Sequence, residues 1–190
     1  MNSLLTGTAF ISGAAQGIGW ETARAFAKHG IDGLALVDVN LKVLEASVEK
    51  LKTQYPHVKF LALQADVRDA TELKEVFRKI VHEFGRIDIA VNNAGIEGPH
   101  DDTHTVDEKD WTNLVDINLN GVWRCQKEEI NIMLNQTDKG LREGRGRIVN
   151  VASTWGVCAP PRELPHSAYT AAKHGLSLNP FSSSFIVVIV

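Results

Sequence analysis

Five short apolar runs alternate with longer segments of helical period, and this alternation limits the folds open to the chain more than any other feature. The strand-like runs are residues 8–12, 34–38, 58–64, 87–92 and 147–152. The helix-like segments between them are residues 18–29, 41–54, 70–84 and a longer one over residues 107–135. A βαβα order predicts an α/β fold in which helices cover both faces of a parallel sheet. Asp69 or Thr71 is predicted to cap the third helix, which should end near Gly85.

A glycine-rich turn follows the first predicted strand, with Gly13, Gly17 and Gly19 in a G-x-x-x-G-x-G pattern that also contains Gln16 and Ile18. Glycine permits a tight turn, a close approach of backbone to a pyrophosphate, and close packing of helix on strand. The helix that begins at about Ile18 adds free N–H groups and the positive end of its dipole. The turn therefore predicts a dinucleotide site, although taken alone it also fits a plain glycine turn.

Asp38 ends the second predicted strand, about 20 residues beyond Gly19, where a carboxylate can accept hydrogen bonds from the hydroxyls of an adenosine ribose. A 2′-phosphate at that place would meet like charge. Neither Gln16 nor Val39 is the arginine or lysine that favours the phosphorylated cofactor. We therefore expect NAD in preference to NADP.

Tyr169 and Lys173 lie four residues apart in a segment of helical character. At that spacing both side chains project from one face of a helix, within roughly 6 Å of each other. A tyrosine hydroxyl ordinarily ionises at about pH 10, and an adjacent ammonium group favours the ionised form. The pair predicts an acid/base group, and Ser153, after the fifth strand, can donate a hydrogen bond to a substrate oxygen. A half-buried tyrosine beside a solvated lysine is the alternative.

Taken together and in order, these motifs resemble those of the short-chain dehydrogenase/reductase family, NAD(P)-dependent oxidoreductases on a Rossmann-type fold. The resemblance extends from residue 6 to about residue 178. The matching motifs are the glycine turn, Asp66 with Val67, residues 92–95, Asn118, residues 150–153, and Tyr169 with Lys173.

The resemblance implies that Asp66 and Val67 border the adenine, and that Asn118 holds a water linking Lys173 to solvent. Tyr169 would take the proton of a secondary alcohol while a hydride passes to NAD, or the reverse with a ketone. Taken alone, Asp66 also fits a helix cap, and residues 92–95 fit a turn. The implied catalytic residues are Ser153, Tyr169, Lys173 and Asn118. The implied cofactor contacts are Gly13, Gln16, Gly17, Ile18, Gly19, Asp38, Asp66, Val67, Asn93, Ala94, Gly95, Tyr169 and Lys173.

The composition argues against several other classes of function. A formal net charge of −3 over 190 residues does not suit a surface for nucleic acid or anionic lipid, because such surfaces are basic. No apolar run approaches the roughly 20 residues of a membrane span, so we expect a cytosolic protein. Cys125 and Cys158 have neither metal-ligand nor redox spacing. His100 and His104 lie in a stretch typical of an exposed loop, and we expect no metal site.

Two loops are expected to edge the substrate pocket. More residues separate Ser153 from Tyr169 than is usual in the family, and the additional ones fall in the proline-rich segment 160–165. Arg162 in that segment is either a surface arginine or a contact for an acidic substrate group. Trp155 and residues 96–100 are expected to form other walls. The glycine- and arginine-rich segment 140–147 is predicted to be a solvated loop, with contact to a phosphate as the alternative.

The resemblance ends near residue 178, so we predict a nucleotide-binding domain over residues 1–178 and an atypical tail over residues 179–190. Asn179 and Pro180 should stop the tyrosine-bearing helix soon after Lys173. The β-prone run 185–190 should either pair with the edge of the fifth strand or promote aggregation. The last strands of the family sheet are expected to be missing, which puts the family's homo-oligomers in doubt here. A truncated, catalytically weak nucleotide-binding protein is the alternative to an active oxidoreductase.

Overall fold

The fold described by the computed structural model covers residues 4–140, 144–161 and 166–177, and the backbone of residues 185–188. The strands are β1 (Thr8–Ser12), β2 (Gly33–Asp38), β3 (Lys59–Gln64), β4 (Ile89–Asn92), β5 (Arg147–Val151) and β6 (Phe185–Val188). The helices are α1 (Gly17–Lys28), α2 (Leu41–Gln54), α3 (Ala70–Phe84), α4 (Glu108–Val115), α5 (Val122–Asn135) and α6 (Ser167–Ser177). A π-helical segment over Asp116–Gly121 joins α4 to α5, and a short 3₁₀ helix covers Thr154–Gly156.

The strands form one sheet in the order β3-β2-β1-β4-β5-β6, and every neighbouring pair is parallel. The chain runs outward from β1 in one direction and then returns to β4 on the other side of β1. This reversal opens a crevice at the carboxyl ends of β1 and β4, where ligands bind in open α/β sheets. The predicted α/β, Rossmann-type fold is confirmed.

The core lies on both faces of the sheet, because the side chains of β1 alternate between them. Ile11 belongs to the apolar cluster beneath α1 and α2, which includes Ala23 and Leu44. Phe10 belongs to the opposite cluster beneath α3 and α5, where its ring centroid lies 4.8 Å from that of Phe77. Burial on both faces explains why the strands are nearly continuous apolar runs.

The ends of α3 agree with the signals in the sequence. The carboxylate of Asp69 accepts hydrogen bonds from the backbone N–H groups of Thr71 and Glu72, so Asp69 is the cap. Gly85 follows the helix with φ of 78°, a left-handed conformation that glycine adopts at low cost. Both predicted boundaries of α3 are confirmed.

Other boundaries differ from the predicted ones by one or two residues. The fourth strand begins at Ile89 rather than at residue 87, because the backbone of Ile87 bonds to a side chain. Its N–H donates to Oε1 of Gln136 at 3.2 Å, and its carbonyl accepts from Nε2 of Gln136 at 2.7 Å. The predicted single helix over residues 107–135 is interrupted by the π-helical segment.

β6 pairs in parallel with β5, from Ile148 opposite Phe185 to Val151 opposite Val188. Of the two alternatives for the last apolar run, strand pairing is therefore the one observed. Within the described ranges, β6 is the one strand that follows β5. The predicted stop at Asn179 and Pro180 lies outside the described residues. No helix in the described part of the chain combines the length and the apolar character that crossing a bilayer requires.

Candidate active site

A cleft of about 750 Å³ opens at the carboxyl ends of β1, β2, β4 and β5. It holds most of the residues predicted from the sequence. Those that line it are Gly13, Gln16, Gly17, Ile18, Asp38, Asp66, Val67, Asn93, Ala94, Gly95, Ser153, Tyr169 and Lys173. Gly19 and Asn118 are not among the lining residues. The two halves of the sequence prediction, the glycine turn and the tyrosine pair, thus share one cleft.

The three glycines of the turn have different surroundings. A Cβ at Gly13 would lie 2.8 Å from Cα of Ala94, and a Cβ at Gly19 would overlap the carbonyl oxygen of Gly13. These two glycines allow close packing within the protein. Gly17 has φ of 59°, and a Cβ there would meet nothing within 4 Å. Gly17 therefore leaves open space at the start of α1.

Ser12 and Asn93 join the turn after β1 to the turn after β4. The Ser12 hydroxyl oxygen accepts hydrogen bonds from the backbone N–H groups of Asn93 and Ala94, both at 3.1 Å. Nδ2 of Asn93 donates to the carbonyl oxygens of Ser12 at 3.1 Å and Gly13 at 3.0 Å. Ser12 was not among the predicted site residues, although a polar residue at the end of an apolar strand is a signal for such a role.

Asp38 supports the glycine turn directly. Its Oδ2 accepts from the N–H of Ala15 at 3.0 Å, and its Oδ1 accepts from the N–H of Asn40 at 2.9 Å. Val39, the next residue, is 60% exposed. The carboxylate is thus held at the edge of the cleft by backbone donors, and its predicted contact with a ribose remains a prediction.

Asp66 is paired with Arg68, which was not among the predicted site residues. Nε of Arg68 donates to both carboxylate oxygens at 3.0 Å, and Nη1 donates to Oδ1 of Asn113 at 2.6 Å. The hydrogen bond from the guanidinium holds the pKa of the Asp66 carboxyl below its usual range. Both Asp66 and Arg68 line the end of the cleft nearest β3 and α4.

Tyr169 and Lys173 lie on one face of α6, as predicted, with Nζ of Lys173 5.5 Å from the centroid of the tyrosine ring. Nζ donates a hydrogen bond to the carbonyl oxygen of Val151 at 2.7 Å. Burial lowers the pKa of Lys173 to about 8. Ser153 lies beside this pair in the cleft, and its hydroxyl oxygen accepts from the N–H of Trp155 at 3.3 Å.

Asn118 lies in the π-helical segment and is fully buried. Its Nδ2 donates to the carbonyl oxygen of Ile96 at 2.7 Å, and its Oδ1 accepts from the N–H of Ile96 at 2.8 Å. Both polar atoms therefore hold the loop after β4. The water relay implied by the resemblance stays a prediction.

The end of the cleft nearest Tyr169 has apolar, acidic and aromatic walls. Ile96, Glu97 and Trp155, all expected as walls, line it. The ring centroid of His166 lies 4.5 Å from that of Trp155 and 6.4 Å from that of Tyr169. Burial and the nearby His100 lower the pKa of His166, against the opposing charge of Glu97.

His166 was missed in the sequence because it shows no ligand or catalytic spacing, although it stands one helical turn before Tyr169. The expected role of Arg162, and most of the proline-rich segment around it, lie outside the described residues. Residues 141–143 of the segment 140–147 are likewise outside them, and Arg147 is the first residue of β5.

Comparison with known proteins gives relatives that act on different substrates. The family model for short chain dehydrogenase matches residues 7–182. Mouse 15-hydroxyprostaglandin dehydrogenase [NAD(+)] is 38% identical over 168 residues, which are 88% of this chain and 56% of the relative. A 3-oxoacyl-[acyl-carrier-protein] reductase, FabG of Staphylococcus aureus, is 30% identical over 196 aligned positions, covering 96% of this chain and 76% of the relative.

A solved structure is similar as well. The crystal structure of a levodione reductase superposes with a TM-score of 0.81 at 35% identity, covering 90% of this chain and 62% of that chain. The chain thus spans 56% of the mouse relative and 62% of the levodione reductase. The family match covers nearly the whole sequence, and it includes the glycine turn and the tyrosine pair. This chain belongs to the short-chain dehydrogenase/reductase family.

Proposed function

We propose that this chain binds NAD in the cleft and transfers a hydride between the cofactor and a secondary alcohol or ketone. The observation that carries the proposal is that the glycine turn and the group Ser153, Tyr169 and Lys173 line the same cleft. The family membership supports an oxidoreductase, and a relative named for NAD(+) supports a nicotinamide cofactor.

The residues present fit a dinucleotide. Gly17 leaves open space beside the N-terminus of α1, where backbone N–H groups and the helix dipole favour a pyrophosphate. Asp38 would accept hydrogen bonds from the adenosine ribose, and Asp66 and Val67 would border the adenine. When bound, the nicotinamide accepts or supplies the hydride.

The side chains of the protein would handle the proton and the developing charge. In oxidation, Tyr169 takes the proton of the substrate hydroxyl, and in reduction it returns a proton to the carbonyl oxygen. The ammonium of Lys173 stabilises the tyrosinate, because a nearby positive charge favours the ionised phenol. The Ser153 hydroxyl donates a hydrogen bond to the substrate oxygen as it gains charge. Asn118 would support this unit through the loop at Ile96.

Thermal unfolding with and without nucleotide tests the cofactor half of the proposal. A ligand at about 100 times its dissociation constant stabilises the folded state by about 2.7 kcal/mol. We expect a larger rise of the melting temperature with NADH than with NADPH. No rise with either nucleotide would overturn the proposal.

Turnover tests the chemical half. The chain would be assayed with NAD against a panel of secondary alcohols, and with NADH against the matching ketones, beside a Tyr169→Phe variant. We expect the variant to lose 10²-fold or more in kcat, as is typical for an acid/base group, while nucleotide still raises its melting temperature. Nucleotide binding without turnover by the unmodified chain would instead support the alternative, a catalytically weak nucleotide-binding protein.

A further inference from the structure

Three side chains with metal-binding atoms converge beside the cleft. Glu97 and His100 belong to the loop after β4, and His166 directly precedes α6. Nε2 of His100 lies 3.6 Å from Oε1 of Glu97, and Nε2 of His166 lies 3.8 Å from the same oxygen. One ligand atom from each residue falls within 4.8 Å of the others. The sequence grouped His100 with His104, whereas the fold brings His100 to His166.

His166 is a buried polar side chain without a hydrogen bond to the described residues. Its side chain is 1% exposed, and its Nδ1 is buried with no partner in the described part of the chain. Its Nε2 faces Glu97 at 3.8 Å, which is too long for a hydrogen bond. A buried polar side chain normally has a partner, and a buried imidazole without one requires an explanation. A cation bound at Nε2 would give the His166 side chain a partner on the side that faces Glu97.

The spacing of the three groups suits a small divalent ion. Zinc binds imidazole nitrogen and carboxylate oxygen at about 2.0–2.2 Å in tetrahedral sites, so two of its ligand atoms lie roughly 3.3 Å apart. The separations of 3.6 and 3.8 Å between Glu97 and the two histidines are close to that value. All three ligand atoms lie within 4.8 Å of one another, so a bound ion would draw the two imidazoles together. Two histidines with one carboxylate form a donor set that zinc accepts, and they leave a fourth position open.

We propose that Glu97, His100 and His166 bind one divalent metal ion, with Zn²⁺ as the best match. The site joins the loop after β4 to the start of the helix that carries Tyr169. Because Glu97 also lines the cleft, the open coordination position borders the substrate end and can take water or another oxygen donor. This site is independent of the proposed hydride transfer, since none of its ligands belongs to the acid/base group or to the predicted cofactor contacts.

Metal binding by the folded chain, freed of any affinity tag, tests the proposal directly. Titration with Zn²⁺ alone, followed by calorimetry, should give one ion per chain, and Co²⁺ should give the visible absorption of a tetrahedral site. Replacement of the exposed ligands, in His100→Ala and Glu97→Gln, should weaken binding by about tenfold or more. His104→Ala is the matched control, because His104 is an exposed histidine of the same loop outside the cluster.

The metal titration distinguishes a real site from none. Stoichiometric binding that falls in both ligand variants and persists in His104→Ala supports the site. Absence of binding at about 100 μM Zn²⁺ by a chain with a cooperative unfolding transition overturns it. Equal binding by His100→Ala and the unmodified chain also overturns it. Since nucleotide is left out of the titration, loss of the metal site would not resemble a failure of the proposed cofactor binding.

Discussion

The ammonium group of Lys173 is buried. Its ammonium has the carbonyl oxygen of Val151 at 2.7 Å and the ring of Tyr169 at 5.5 Å. Burial still disfavours the charged form, and the pKa falls from an ordinary value of 10.5 to about 8. With a pKa of about 8, Lys173 could release and regain a proton during the proposed hydride transfer.

The shifted pKa of Lys173 predicts a pH dependence of stability. Between about pH 8 and pH 10.5, the unfolded chain binds more protons at this residue than the folded chain does. The free energy of unfolding should therefore rise with pH across that window. Lys173→Met removes this titration. From pH 8 to pH 10, the free energy of unfolding of the unmodified chain should therefore rise relative to that of the variant. Urea unfolding of both proteins at several pH values measures these free energies. A difference between the two proteins that stays constant with pH would contradict the prediction.

Asp38 predicts the choice between the two nicotinamide cofactors. The charge of Asp38 should repel a 2′-phosphate. Its carboxylate oxygens have a second role, because they accept hydrogen bonds from the N–H groups of Ala15 and Asn40. Asp38→Asn keeps an oxygen acceptor and removes the charge. We expect the ratio of NADPH to NADH affinity to rise about tenfold, measured by fluorescence titration of each nucleotide.

The control for Asp38 removes the acceptor as well. Asp38→Ala should reduce the melting temperature of the free protein in addition to changing cofactor preference, because two backbone donors lose their partner. An unchanged NADPH-to-NADH ratio in both variants would show that the carboxylate does not select the cofactor.

Among the secondary-structure elements, those with local signals were predictable from the sequence and those that depend on distant contacts were not. Asp69 and Gly85 mark the ends of α3 through neighbouring backbone groups, and both ends were found. The π-helical segment was not predicted. It adds one residue to a helical turn, and the apolar residues before and after it keep their ordinary helical spacing. The site followed the same rule. The glycine turn and Tyr169 have fixed spacings, whereas the contact between Glu97 and His166 joins residues far apart along the chain.

α5 carries a buried carboxyl group behind the cleft. Oε2 of Glu129 accepts from Nδ2 of Asn92 at 3.1 Å, and the same Nδ2 donates to Oδ1 of Asn150 at 3.1 Å. Glu129 is fully buried, and its Oε1 has no hydrogen-bond partner among the described residues. Burial raises the pKa of Glu129 to about 8, although the bond from Asn92 opposes this shift. The group is therefore mostly protonated at neutral pH.

This protonation predicts the effect of Glu129→Gln. Between pH 4.5 and about pH 8, the folded chain binds more protons at Glu129 than the unfolded chain does. Glu129 should therefore lower the free energy of unfolding as pH rises through that window. Glutamine has a similar shape and no such titration, so the variant should gain stability relative to the unmodified chain from pH 5 to pH 8. Chemical unfolding across this range measures this change, with Glu128→Gln as the control, because the neighbouring Glu128 is only half-buried. If the difference in free energy of unfolding between Glu129→Gln and the unmodified chain does not change with pH, the prediction is wrong.

The sheet connects its last strand, β6, to the residues of the proposed acid/base group. β5 provides the carbonyl oxygen of Val151 that accepts a hydrogen bond from Lys173, and Ser153 lies two residues after the strand ends. One edge of β5 pairs with β4, and the other pairs with β6. β6 thus covers backbone groups that would otherwise form an open sheet edge beside the cleft.

Replacement of residues 185–188 by a Gly-Ser sequence of equal length should expose that edge of β5. Unpaired N–H and C=O groups on an apolar strand favour pairing with other chains. We therefore expect a lower melting temperature and more self-association, measured by thermal unfolding and light scattering. The same replacement at residues 101–104, which lie in an exposed loop, should change neither quantity appreciably. If the 185–188 replacement melts and scatters like the unmodified chain, β6 does not protect β5, and pairing with β4 is enough to keep β5 in place.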